Sequence, residues 1–288
     1  LVVGAGGMLG HDLLAALDGR PVTALTRADL DLGHADAQAI RAAVHGHSVV
    51  VNAAAWTDVD RAEAEEPAAT RVNGTGVAML ASACAATGAA LIHVSTDYVF
   101  AGDGTSPYPE DAPTAPINAY GRSKLVGERA VLDTLPDRGY VVRTAWLYGA
   151  HGRNFVATML RLAGEREFVD VVDDQFGQPT WSLDLARQLV ALGDPASRCR
   201  APGGVYHGTA AGQTSWYGLA RAVFSAAGHD PARVRPTTSD RFVRPARRPA
   251  YSVLGHDRWA AAALSPMRDW RVMLTAALSN PVFAKDAA

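Results

Sequence analysis

The feature that most constrains this chain is an early alternation. Short β-branched runs are each followed by an alanine-rich segment of helical periodicity, through the first half of the sequence. Runs at 1–3, 21–25, 48–52, 90–95 and 140–143 predict strands, and 8–17, 35–44, 58–65, 73–87 and 120–132 predict helices. Strands that are apolar on both faces must be covered on both faces, and a parallel return requires a crossover, usually a helix. The pattern therefore predicts an α/β fold with a Rossmann-type doubly wound parallel sheet.

The first predicted strand ends in Gly4-Ala5-Gly6-Gly7-Met8-Leu9-Gly10, a G-x-x-G-x-x-G spacing that leads into a helix. Glycine permits the tight turn, and the bare N–H groups and dipole at the helix N-terminus favour an anion such as a pyrophosphate. Glycine clusters also mark ordinary turns, so the βα context carries the argument. Where the second strand ends, at Leu25-Thr26-Arg27, a neutral residue is followed by Arg27 in the region that reads the adenosine ribose. This favours NADPH, with NADH also compatible. Asp29 and Asp31 weigh against that preference, and Arg27 also fits a solvated loop charge.

Beyond Gly149 the alternation fades. Helices are predicted over 154–164, 182–192, 215–227 and 270–278, and an Arg/Pro-rich loop over 233–249. The expected organisation is an NAD(P)-binding Rossmann domain over 1–149 and a smaller, mainly substrate-binding domain over 150–288, with segments of the second returning to the first.

Tyr120-Gly121-Arg122-Ser123-Lys124 sets a tyrosine and a lysine four residues apart, on one helical face. Carbonyl reduction places hydride on carbon and a proton on oxygen. A free tyrosine, with a pKa of about 10, suits neutral operation poorly, and a neighbouring ammonium would stabilise its phenolate. Alone, the pair equally describes a surface helix. The strand before it ends in Ser95-Thr96-Asp97, at the edge where open parallel sheets bind ligands, so Tyr120, Lys124 and Thr96 are the candidate catalytic residues. Capping is the alternative reading of Ser95, Thr96 and Asp97.

Composition removes other classes. A net charge of −2 offers no global field for nucleic acid or an anionic membrane. No apolar run approaches the roughly 20 residues of a membrane span. With only Cys84 and Cys199, far apart, a disulfide framework is not expected, and the chain reads as cytoplasmic. It starts at Leu1 inside an expected strand, so a few residues are expected to precede it.

The glycine turn, the Asn52-Ala53-Ala54-Ala55 strand end, Ser95-Thr96-Asp97 and Tyr120/Lys124 together resemble an extended short-chain dehydrogenase/reductase. The ordered strings VVNAAAWTDVDRAE, VSTDYVFAGDG, PINAYGRSKLVGE, VRTAWLYG, NFVATMLRLA and VDDQFGQPT resemble the dTDP-4-dehydrorhamnose reductase family over nearly the whole chain. The resemblance implies reduction of the C4 ketone of a dTDP-linked 4-keto-6-deoxy sugar, dTDP-4-dehydrorhamnose, to dTDP-L-rhamnose. Tyr120 would donate the proton, Lys124 would hold the nicotinamide ribose, and Thr96 would tune Tyr120.

By the same carry-over Gly7, Met8 and Leu9 would meet the pyrophosphate, and Asp31 and Leu32 the adenine side; Gly4 and Gly6 of the glycine turn are expected to bind the cofactor as well. Ala53, Ala54, Ala55 and Thr57 would line the inner cofactor. Thr96, Asp97 and Trp146 would meet the sugar, and Asn154, Phe155, Asp174 and Gln175 the nucleotide. Trp56 departs from the histidine common at its position. Some relatives bridge subunits through magnesium and acidic residues near 180–187, where this chain has only Asp184, so no essential metal is expected. A homodimer is compatible with the resemblance. Two alternatives stay open: a reductase of a related dTDP-4-keto sugar in antibiotic biosynthesis, such as dTDP-dihydrostreptose formation, and a non-catalytic regulatory subunit of a methionine adenosyltransferase.

Overall fold

The computed structural model describes residues 1–281 and 283. Strands β1 (Val2–Val3), β2 (Ala24–Leu25), β3 (Val49–Asn52), β4 (Ala90–Thr96) and β5 (Gly139–Thr144) form one parallel sheet with a sixth strand, Gly204–His207. The spatial order is Gly204–His207, β5, β4, β3, β1, β2. The order reverses between β1 and β3, which opens a crevice at the carboxyl ends of the strands.

Helix α1 (Met8–Ala16) packs with helix Ser182–Gly193 on one face. On the other lie α2 (Ala37–Val44), α3 (Val59–Ala64), α4 (Glu66–Thr70), α5 (Gly76–Thr87) and α6 (Ala119–Thr134). Successive strand residues point to opposite faces. Ile92 and Val142 join Leu9, Leu13, Leu185 and Leu189 in one core, while Leu91 and Val141 join Ile40, Leu80 and Val131 in the other. This double burial is why the strands are apolar without alternation.

The second half adds helices Phe155–Glu165, Trp216–Ala226 and Trp270–Leu278 and short paired strands, and Met159, Phe224 and Trp270 of these helices extend the core on the α1 face. The segment 233–249, expected as a loop, begins with strand Val234–Thr237, parallel to Val169–Val172, followed by the turn Ser239–Arg241. The pairing partner lies about 65 residues upstream, so no local pattern announces it. The helix expected over 73–87 starts instead as a wide turn, Arg71–Thr75, before α5. There the buried Asn73 side chain donates to Trp56 O (3.1 Å) and Ser123 Oγ (2.9 Å), and accepts from Trp56 N (2.8 Å). Among the described residues no helix is long and apolar enough to cross a membrane.

Candidate active site

The glycine turn is built by close approach. Gly4 has φ +85°, and a Cβ there would stand 2.5 Å from Ala54 N, so β1 reaches the end of β3 only with glycine at this position. A Cβ on Gly10 would meet Gly4 O at 2.3 Å, which fixes how tightly α1 sits on the turn. Gly7 caps α1 with no side-chain hydrogen bond, leaving the first-turn N–H groups facing outward as an anion cradle.

From this turn a cleft of about 820 Å³ runs in both directions along the carboxyl edge of the sheet. Gly4, Gly6, Gly7, Met8, Leu9, Arg27, Asp31, Leu32, Ala53, Ala54, Ala55, Thr57, Tyr120 and Lys124 all line it, so the residues predicted from sequence for the cofactor converge on one cavity. Its open end holds Arg27, whose side chain is 83% exposed and lies 3.1 Å from Asp31 Oδ2. His34, Arg71 and Arg153 also line it, with no sequence motif to announce them.

The inner end is chemically distinct. Asn118 caps α6 by accepting from Gly121 N (2.8 Å), which sets Tyr120 in the first turn and Lys124 one turn on. Lys124 is buried, and its Nζ donates to Val94 O at 2.7 Å and lies 3.4 Å from His93 Nε2. Burial pushes Lys124 down to about 8, opposed by the charge of Glu128. Glu128 itself clasps Arg143 (2.7 Å) as a buried pair beneath the site.

Tyr120 packs with Trp56 against Ala62, Ala69 and Ala119, and the Tyr98 ring meets it edge-on at 6.0 Å. Its phenol is pushed above the ordinary value by burial and then by the charge of Asp97, while Thr96 acts in the opposite sense. The sequence-based expectation that Lys124 draws this phenol down is therefore corrected. The ammonium is engaged by the Val94 carbonyl, and desolvation dominates, so Tyr120 is held firmly in its protonated form. Thr96 Oγ1 donates to Asp97 Oδ1 (3.0 Å) and accepts from Tyr98 N (3.1 Å), so capping and a place beside Tyr120 coexist in one residue. Burial raises Asp97 to about 6.

The remaining predicted residues lie in the second half, outside the lining of that cleft. Trp146, at φ +48°, stacks on Trp216 at 3.6 Å, and Phe155 leans on the same indole at 4.6 Å. Trp216, absent from the sequence-based set, thus joins two of its members. Asn154 caps helix Phe155–Glu165 through Ala157 N (2.9 Å) and donates to Gly149 O (2.9 Å). Asp174 and Gln175 both hold Ser239: Asp174 accepts from its N (2.7 Å) and Oγ (2.6 Å), and Gln175 Nε2 lies 2.7 Å from that Oγ. Trp56 donates its indole N–H to Asp58 O (2.9 Å). Asp184 is paired with Arg268 at 2.7 Å. Among the described residues no cluster of three His, Cys, Asp or Glu side chains is arranged to hold a metal.

The family model described as the RmlD substrate binding domain matches residues 1–282. The chain belongs to this family. Among its relatives, a dTDP-4-dehydrorhamnose reductase of Streptomyces griseus is 57% identical over 279 residues, covering 96% of this chain and 91% of that protein. A dTDP-4-keto-6-deoxy-D-glucose reductase of Streptomyces niveus is 54% identical over 281 residues, covering 96% and 95%. The structure of a dTDP-4-dehydrorhamnose reductase from Bacillus anthracis in complex with NADP superposes with a TM-score of 0.89 at 34% identity, covering 96% of this chain and 97% of that one. The parallel sheet with a smaller C-terminal domain is thus the architecture of the RmlD family.

Proposed function

We propose that this chain reduces the C4 ketone of dTDP-4-dehydrorhamnose to dTDP-L-rhamnose with a nicotinamide dinucleotide, NADPH in preference to NADH. The observation that carries the reading is the single cleft joining the glycine cradle to Tyr120 and Lys124. The cradle suits a pyrophosphate: a Cβ at Gly4 or Gly10 would collide with backbone, and the N-terminus of α1 carries no acidic residue in its first turn. Relatives that bear the activity in their names, at identities up to 57%, support the substrate. Exposed Arg27 at the open end supports a 2′-phosphate.

When bound, the reduced nicotinamide supplies a hydride to the carbonyl carbon. Tyr120 holds a proton for the carbonyl oxygen, and its high proton affinity matches the alkoxide that forms. Lys124, anchored on Val94 O, holds its ammonium at the inner end of the cleft, where it is placed to meet the nicotinamide ribose. Thr96 keeps a hydroxyl beside Tyr120 while Asp97 holds that hydroxyl in place. Trp146 is assigned to the sugar, and Asn154, Phe155, Asp174 and Gln175 to the nucleotide, through the surface that Trp216 and Ser239 organise. Residues 1–149 then serve chiefly the cofactor and 150–288 the substrate, with Ser182–Gly193 and Gly204–His207 returning to the cofactor layer.

The second reading keeps this chemistry and changes the sugar, and the Streptomyces niveus relative, at 54% identity, favours it. NMR analysis of the product formed from NADPH and dTDP-4-dehydrorhamnose separates the two. The L-rhamno configuration at C4 is expected; no product with this sugar, but turnover of a related dTDP-4-keto sugar, would move the assignment.

A further inference from the structure

Two buried hydroxyls stand unpaired at the reactive end of the cleft. Ser95 and Thr144 are 3% and 6% exposed, both line the cavity, and neither side-chain oxygen has a hydrogen-bond partner among the described residues. A buried hydroxyl without a partner is disfavoured, and such groups are rare unless a ligand or water completes them.

Their placement is complementary. β4 and β5 pair in parallel with Ser95 opposite Arg143 and Thr96 opposite Thr144. Side chains alternate along a strand, so Ser95 shares a face with His93, which lies 3.4 Å from Lys124 Nζ. Thr144 shares the opposite face with Val142, which packs in the core beneath α1 and helix Ser182–Gly193. The two hydroxyls therefore stand on opposite faces of the sheet at the carboxyl ends of the paired strands β4 and β5, and both reach the same cavity.

We propose that Ser95 and Thr144 form a two-point anchor for the nicotinamide riboside half of the cofactor. Thr144 Oγ1 bonds the ring carboxamide and Ser95 Oγ bonds a ribose hydroxyl on the Lys124 side. The proposal rests on reading the cleft as a nicotinamide dinucleotide site. The carboxamide is the hydrogen-bonding group of the ring and carries both donors and an acceptor, as a ribose hydroxyl does, so a threonine or serine hydroxyl can satisfy either. Bonds on both sides of the glycosidic bond would restrict rotation of the ring and so select the face turned toward the ketone.

Equilibrium binding by calorimetry, without turnover, tests the anchor with three ligands of decreasing length: NADPH, 2′-phospho-ADP-ribose, which lacks the nicotinamide ring, and adenosine 2′,5′-bisphosphate, which lacks the whole nicotinamide riboside. Thr144→Val is expected to weaken NADPH by about 3- to 10-fold and leave both fragments unchanged. Ser95→Ala is expected to weaken NADPH and 2′-phospho-ADP-ribose by a similar factor and leave the bisphosphate unchanged. Wild-type affinity for NADPH in both variants would overturn the proposal, as would equal weakening of all three ligands, which would mark a structural role. Failure of the wild-type protein to bind NADPH or NADH would overturn the cofactor reading itself, and the anchor with it.

Discussion

Lys124 Nζ lies 3.4 Å from His93 Nε2, and the imidazole is held from its other side by Asn52 Nδ2, 3.1 Å from Nδ1. Asn52 Oδ1 accepts from Ala54 N (3.1 Å), which turns the amide so that its NH2 group faces the ring. The ring nitrogen Nδ1 thus faces the Asn52 NH2 group, and Nε2 faces the lysine. Burial, and then the charge of Lys124, keep the imidazole neutral by driving its pKa well down. Lys124 sits between this ring, the Val94 carbonyl and the charge of Glu128, one turn further along the same helix face.

The lysine is therefore expected to lose its proton near pH 8 rather than above 10, burial being the main cause. Its ammonium is present below that value and lost above it. The pH profile of kcat/KM should fall on a basic limb near pH 8; a profile flat to pH 10 would show that the charge of Lys124 is not used.

Tyr120→Phe removes the proton while keeping the ring that packs on Ala62, Ala69 and Ala119. Turnover should drop by about 10²-fold or more, with thermal stability and cofactor affinity near wild type. Parallel rate and calorimetric measurements check this, and full retained turnover would remove Tyr120 from the chemistry.

The glycines of the turn should separate folding from binding. A Cβ on Gly10 meets Gly4 O at 2.3 Å and Ala5 C at 2.6 Å, both backbone atoms that cannot step aside, so Gly10→Ala should cost about 1–3 kcal/mol of stability. At Gly7 the nearest atom would be 3.5 Å away and φ is −85°, so Gly7→Ala should fold normally and instead lose cofactor affinity. Denaturant melts beside binding titrations distinguish the two; equal loss of stability in both variants would contradict the contact geometry.

Asp97 supplies a pH test of stability. Burial raises its pKa from 3.8 to about 6, so the folded state takes up a proton that the unfolded chain has already released. Stability from this group is present in full below pH 4 and declines as pH rises to 6. The difference amounts to about 3 kcal/mol as an order of magnitude. Asp97→Asn should remove this decline, so its stability relative to wild type should grow between pH 4 and 6 and stay level above 7 in urea melts. A pH-independent difference would count against the raised carboxyl.

The cofactor side of the site is legible in sequence because it is local. Gly4 to Gly10 lie in one turn, Tyr120 and Lys124 on one helix, and β-branched runs announce the strands beside them. The protonation of Tyr120 is not legible, since it depends on Asp97 and on burial contributed by Trp56 and Tyr98, from separate segments. Nor are the Trp146–Trp216 stack and the Val169–Val172/Val234–Thr237 pairing, which join residues about 65 to 70 apart with no periodicity linking them. Thr144 escaped notice for a similar reason: a threonine at the end of a buried strand reads as ordinary β propensity until its hydroxyl is found without a partner.

The sheet takes its sixth strand, Gly204–His207, from the second half of the chain, and helix Ser182–Gly193 seals α1 from the same half. Cutting after residue 149 would strip one edge of the sheet and uncover Leu9 and Leu13. Chimeras that swap whole halves between relatives of different sugar preference would therefore have to rebuild a shared hydrophobic interior at the same time. Asp174 and Ser239, which hold each other by hydrogen bonds, lie outside that interior and can be exchanged without rebuilding it, whereas Trp146 packs against it.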